Sequence, residues 1–233
     1  VSTTSFFSPR VPDNIKEIAK FAEKENLIHI INNAYGIQSK NIINLIRSSI
    51  DAGRVDAIIQ STDKNFLTPI GGAIIISPKK EILQSISQCY AGRGSASPVV
   101  HLLVSLLYMG FEGYKQLMNE QNKIHRLLKT KMIEIAKENN ESIIKCKNDV
   151  SIAMTLTNFS KDQIQKIGPY LYNLRVTGPR VIDCSEGKDT FGTCSSKFNT
   201  SYIVINAAIG AEEKDIYKVI NKLQAVLKKI KSS

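Results

Sequence analysis

The chain has 233 residues, 42% of them hydrophobic and 22% charged, with a formal net charge of +10. That content supports a packed core for one large domain or two small ones, and no apolar run approaches the roughly 20 residues a membrane helix requires. The cationic excess favours a polyanionic partner, nucleic acid above all, although a general lysine bias would give the same balance.

The chain opens Val-Ser-Thr-Thr with neither an initiator Met nor a charged-then-apolar leader, and is expected to start inside a longer protein. In "SPRVPD" two prolines stop a strand and Asp13 is placed to cap a helix. Ile15, Ile18, Ala19 and Ala22 then recur at helical spacing. "LIHIIN" is a short continuous apolar run, the pattern of a strand buried on both faces. A second amphipathic helix covers about 40–50, "GRVDAIIQS" gives another strand, and "GGAIII" a further buried one. Strand, helix, strand with short connections predicts an α/β sheet, parallel or mixed. Residues 99–138 read as helical, and "VVHLLVSLLYMG", apolar almost all round, predicts a buried helix punctuated by Gly110 and Gly113. After "KENNES" the character changes. "VSIAMTLTNF" and "TSYIVINAAIG" read as strands, with helices over "DQIQKIGPYLYNLRV" and from Glu212 to Lys231. The division expected is a larger α/β domain over 1–140 and a smaller α+β domain over 141–233. Cys89, Cys146, Cys184 and Cys194 are scattered, with no CxxC and no paired His. They read as reduced cytosolic thiols, not as a disulfide framework or a metal site.

Three segments could carry chemistry. Lys64 follows a core strand in "STDKNF". A lysine desolvated there would be a nucleophile and base suited to Schiff-base chemistry with an aldehyde; a snorkelling lysine or one paired with Asp63 is the plain alternative. In "HIINNAYGIQS" a strand ends in Asn32-Asn33 with Tyr35 just beyond, where ligands sit in open α/β sheets, although Asn and Gly also simply turn chains. In "YAGRGSASP" Arg93 lies in a small-residue loop with Ser95 and Ser97 at the start of a helix, a setting for a carboxylate or phosphate or merely a capped surface turn.

Taken in order, Asn and Tyr after one strand, Ser-x-x-Lys after the next and "PIGG" opening a third are similar to the cofactor half of fold-type I pyridoxal-phosphate enzymes. The resemblance implies that Asn32 stands where an Asp usually bonds the pyridine nitrogen, that Tyr35 bonds the ring's phenolic oxygen, and that Lys64 binds the cofactor covalently. An amide does not hold that nitrogen protonated as a carboxylate does. The weaker electron sink disfavours transamination and suits elimination of a good leaving group.

"PRVPD", "NNAYGIQS", "VDAIIQSTDKNF", "PIGGAII", "GRGSASP" and "NAAIG" together resemble the C-terminal half of the O-phosphoseryl-tRNA(Sec) selenium transferase (SepSecS, soluble liver antigen) family. The likeness runs along almost the whole chain. It implies the C-terminal part of a fold-type I large domain plus a small C-terminal domain, pyridoxal 5'-phosphate as cofactor, and conversion of O-phosphoseryl-tRNA(Sec) to selenocysteinyl-tRNA(Sec). Lys64 would remove the α-proton, phosphate would leave by β-elimination, and selenium from selenophosphate would add.

By the same resemblance Arg93, with Ser95, takes the substrate's phosphate and Arg180 contacts the tRNA acceptor end. Lys222 belongs to a cationic ridge with Lys214 and Lys218 on the last helix, which fits tRNA or simply a solvated face. Asp51 stands where the family has a tRNA-contacting Arg, so that contact is lost or passes to Arg47 or Arg54. A homotetramer in the cytoplasm is also implied. The family's N-terminal half is absent from this chain, which is therefore expected to represent the activity without necessarily performing it alone. The rival readings are a sulfur-mobilising pyridoxal-phosphate enzyme, such as a cysteine desulfurase or a phosphoseryl-tRNA:cysteinyl-tRNA synthase using Cys184 or Cys194, and a tRNA-binding module without catalysis.

Overall fold

The computed structural model describes residues 1–90, 94–184 and 199–232. It contains two compact units, one formed by residues 1–5 and 11–116, the other by 6–10 and 117–233. In the first unit β1 (Ser2–Thr3), β2 (Ile30–Asn32), β3 (Ala57–Ser61) and β4 (Ala73–Ile76) form a sheet in that order. The first three run parallel and β4 returns antiparallel to β3, so the sheet is mixed. Helices α1 (Ile15–Lys24) and α2 (Lys40–Ala52) supply Ile15, Ala19, Ile42 and Ile46 to a core shared with Ile31, Val55 and Ile58. Asp13 does not cap α1. Asn14 holds that position, while the Asp13 carboxylate accepts the Thr3 N–H at 2.7 Å and ties the first strand to the chain before the helix.

A single turn, α3 (Thr62–Asn65), follows β3, and α4 (Lys80–Cys89) follows β4. The long α5 (Ser97–Glu138) is broken at Gly110, whose φ of 62° and ψ of 177° lie in a region open essentially to glycine alone. Two sequence expectations fail here. β4 is largely exposed, and so is α5 before the break, where Val99, Leu107 and Tyr108 keep 68%, 74% and 91% of their surface. The apolar pattern is real, but no described element packs over this face.

In the second unit β5 (Ser151–Thr155), β6 (Arg180–Ile182) and β7 (Tyr202–Asn206) form an antiparallel sheet in the order β5-β7-β6. Helices α6 (Lys161–Asn173) and α7 (Glu213–Lys231) pack Ile164, Ile167, Leu171, Ile216, Ile220 and Leu223 into its core. The later part of α5 joins them through Ile124, Leu128, Met132 and Ile135. That packing is why the compact units divide inside α5, between 116 and 117. No helix among the described residues is long and apolar enough to cross a membrane.

A buried carboxylate organises the entry to β5. Glu141 accepts hydroxyl bonds from Thr155 (2.6 Å) and Thr157 (2.8 Å) and the Asn158 N–H at 2.6 Å. Burial alone would raise its carboxyl, but these donors outweigh it and hold it below the ordinary glutamate value. A lowered native value means stability that is present at neutral pH and is lost as the pH falls through the carboxylate range. Glu141→Gln should cost about 1–3 kcal/mol in urea unfolding at pH 7, since it strands buried donors, and the difference from the parent should shrink at acid pH. Equal costs at both pH values would show that the carboxylate charge is not what anchors this corner.

Candidate functional site

Parallel pairing brings the carboxyl ends of β2 and β3 side by side, with Asn32 opposite Ile59 and the Asn33 N–H bonded to the Ile59 carbonyl at 2.8 Å. Beyond β2 the chain turns through Asn33–Tyr35 into a 3-10 turn, Gly36–Gln38. The turn is tight because a Cβ at Gly36 would lie 2.0 Å from Asn33 Oδ1 and 2.5 Å from Ile42. Asn32 Oδ1 accepts the Ala34 N–H at 3.1 Å. That backbone donor fixes the amide's orientation, so the group Asn32 can offer elsewhere is its NH₂.

Beyond β3, α3 carries Lys64. Its Nζ donates to Ser61 Oγ at 3.0 Å, stands 3.7 Å from Asp63 Oδ1 and lies 5.3 Å from the centre of the Tyr35 ring. The side chain is 27% exposed. Of the two settings the sequence left open, the part-buried amine beside Asp63 matches the alternative of a lysine paired with that carboxylate. The structure brings Tyr35 and Lys64 together, with Asn32 at the end of the adjoining strand. Thr62 Oγ1 is buried beside them in sequence and has no hydrogen-bond partner among the described residues.

Asn33, at the strand end the sequence pointed to, and Gln60, which it did not, hold these turns as buried amides. Thr4 Oγ1 donates to Asn33 Oδ1 at 2.7 Å, and Asn33 Nδ2 donates to Gln60 Oε1 at 3.2 Å. Gln60 Nε2 in turn donates to the carbonyls of Ala34 (3.0 Å) and Ser61 (2.9 Å). One side chain thus spans the turn that leads to Tyr35 and the last residue before α3. The available signal was a glutamine in an otherwise apolar strand, since a buried amide must find partners.

Each of the other predicted residues that the structure describes has its own local setting. Ser95 Oγ accepts the Ser97 N–H at 3.2 Å and so caps the start of α5, while Arg93 lies outside the described residues. Arg180, on β6, places its guanidinium 5.2 Å from the centre of the Phe7 ring. Lys222 is half-buried and donates to the Leu174 carbonyl at the end of α6, and Lys214 pairs with Glu212 at 2.7 Å. Arg54 is committed to Asp56 at 2.9 Å and to Asn26 at 2.6 Å, whereas Arg47 is exposed on α2. Burial raises the Asp56 carboxyl, but the Arg54 hydrogen bond, the His29 N–H and the Arg54 charge together hold it below the ordinary value. Cys184 is buried at the end of β6, its N–H on Ser201 Oγ, which does not suit a nucleophile on an open loop; Cys194 lies outside the described residues.

These features define an α/β fold of the fold-type I class. Glutamate decarboxylase from Lactobacillus brevis superposes with a TM-score of 0.75 over 100% of this chain and 55% of that one, a likeness of fold alone at 13% identity. The family model for O-phosphoseryl-tRNA(Sec) selenium transferase, SepSecS, matches residues 1–228, and the chain belongs to this family. It is 44% identical over 228 residues to the enzyme of that description from Methanocaldococcus jannaschii, covering 97% of this chain and 51% of the relative. The crystal structure of an archaeal O-phosphoseryl-tRNA(Sec) selenium transferase superposes with a TM-score of 0.87 at 39% identity, over 96% of this chain and 50% of that one. The chain spans about half the length of the curated relatives it matches.

Gln60→Leu keeps the volume of the side chain but leaves Asn33 Nδ2 and two carbonyls without their partner. It should lower stability by about 1–3 kcal/mol for each buried group left unsatisfied, measured by urea unfolding. A change within about 0.5 kcal/mol would mean that water replaces the amide at no cost.

Proposed function

We propose that this chain is the cofactor-bearing C-terminal half of an enzyme converting O-phosphoseryl-tRNA(Sec) to selenocysteinyl-tRNA(Sec), with selenophosphate as donor. The observation that carries the reading is the meeting of Lys64, Ser61 and Tyr35 at the carboxyl ends of two adjacent parallel strands, in a chain of this family. The donor set fits pyridoxal 5'-phosphate: an amine for its aldehyde, an amide NH₂ from Asn32 for its ring nitrogen, the Tyr35 phenol for its phenolic oxygen, and a buried hydroxyl at Thr62 with no other partner among the described residues. When bound, that group supplies an electron sink for the bond broken at the substrate's Cα.

The chain's own residues divide the remaining work. Lys64 Nζ would hold the cofactor and would serve as the base that takes the α-proton of the phosphoseryl residue. Asn32 would offer its NH₂ to the ring nitrogen without protonating it, a weaker electron sink that would suit loss of phosphate over transamination. Arg93 and Ser95 take the substrate's phosphate. Arg180 and Lys222 contact the tRNA, and the +10 charge draws the polyanion in. The large-domain part is assigned to 1–140 and the small domain to 141–233. The assembly is a homotetramer in the cytoplasm.

Incubation with pyridoxal phosphate followed by borohydride should label the "STDKNF" peptide, and Lys64→Arg should abolish the label. Label spread over surface lysines in this chain and in a full-length relative alike would end the enzyme reading. Binding of tRNA(Sec) should weaken steeply with salt, and Arg180→Ala should reduce the log–log slope by about one. Affinity that ignores salt would remove the nucleic-acid partner.

A further inference from the structure

The turn that carries Lys64 is gripped from a distance. Helix α3 is a single turn, too short to be stable alone, and its last carbonyls have no partners within the helix. Two hydroxyls from α5 meet them: Ser105 Oγ donates to the Phe66 carbonyl at 2.5 Å, and the Tyr114 OH donates to the Asn65 carbonyl. In a straight helix these residues would stand about 13 Å apart along the axis, too far to serve consecutive carbonyls easily. The break at Gly110 falls between them. The Tyr114 ring also stacks on Phe66, with centroids 5.5 Å apart and planes 20° from parallel. Burial raises the Tyr114 phenol, so its hydroxyl remains a neutral donor through the physiological range.

Asn65, the residue after Lys64, is 3% exposed. Its carbonyl takes the Tyr114 hydroxyl, and its side-chain Nδ2 donates to the Tyr35 carbonyl at 3.1 Å. The same residue thus ties α3 both to α5 and to the turn that presents the Tyr35 ring. We infer that Asn65 and Tyr114 are positioning residues that set where Lys64 Nζ stands relative to the Tyr35 ring. The break at Gly110 is what lets one helix hold two consecutive carbonyls at the end of this turn. The consequence for turnover rests on the proposed function, but the placement of the amine does not.

The test reads that placement without cofactor. Reductive ¹³C-dimethylation of the chain, with Lys64→Arg to assign the signal, gives an NMR resonance that feels the Tyr35 ring current; Tyr35→Leu supplies the unshifted reference. In Tyr114→Phe, which keeps the stacked ring and removes only the hydroxyl, and in Asn65→Leu, the Lys64 signal should lose that ring-current shift while the other lysine signals stay in place. A Lys64 signal that keeps its shift in folded Tyr114→Phe overturns the inference, as does a parent signal already equal to that of Tyr35→Leu. If Asn65→Leu does not fold, the Tyr114→Phe comparison decides alone. Failure of pyridoxal phosphate to label Lys64 would overturn the proposed function and leave this result untouched.

Discussion

The carboxyl ends of two neighbouring parallel strands have to be closed by something other than the sheet, because the last carbonyls there have run out of strand partners. Gln60 does this closing. Its amide donates to Ala34 on one side and Ser61 on the other while its oxygen receives Asn33. The alternative is three buried polar groups without partners, each worth about 1–3 kcal/mol, so the two turns leave the sheet in one fixed relation. Everything the candidate site offers follows from that relation. The Tyr35 ring and the Lys64 amine belong to different turns and meet only because both turns are fixed to the same side chain and, through Asn65, to each other.

The pattern of apolar residues told most of the fold, and it failed where burial depends on something the pattern does not contain. α1 and α2, the last two helices and the long strands β3, β5 and β7 all follow from periodicity, since each buries one stripe or one run against its own unit. β6 was missed because three residues at a sheet edge make too short a run to register. The opposite error occurred at β4 and the start of α5. Val99, Leu103, Leu107 and Phe111 do ask for cover, but hydropathy along a helix says only that cover is needed and not which chain provides it.

At the site, Lys64, Asn32 and Tyr35 were legible from strand ends and from order along the chain, because position after a buried strand is a statement about where a side chain emerges. Gln60, Asn65 and Tyr114 were not. A buried amide is recognisable only once its partners are known, and the partners of Asn65 come from segments far away in sequence, at Tyr35 and Tyr114. Nor was the exposure of Lys64 legible, since it depends on a single helical turn at the end of β3 in place of continued strand.

That exposure makes sense in the proposed function. An amine that, in the proposed function, holds a cofactor, leaves it and then carries a proton has to change partners. What it needs is a fixed base and a free end. The base is supplied by buried amides and by hydroxyls on the carbonyls just beyond it. The end is held lightly, by one hydroxyl at 3.0 Å and one carboxylate at 3.7 Å, with about a quarter of its surface in water. Such weak, solvent-screened ties are exchanged at little cost, whereas the amides beneath them are not. The contrast between a fixed base and a lightly held nitrogen is therefore built from the same few residues.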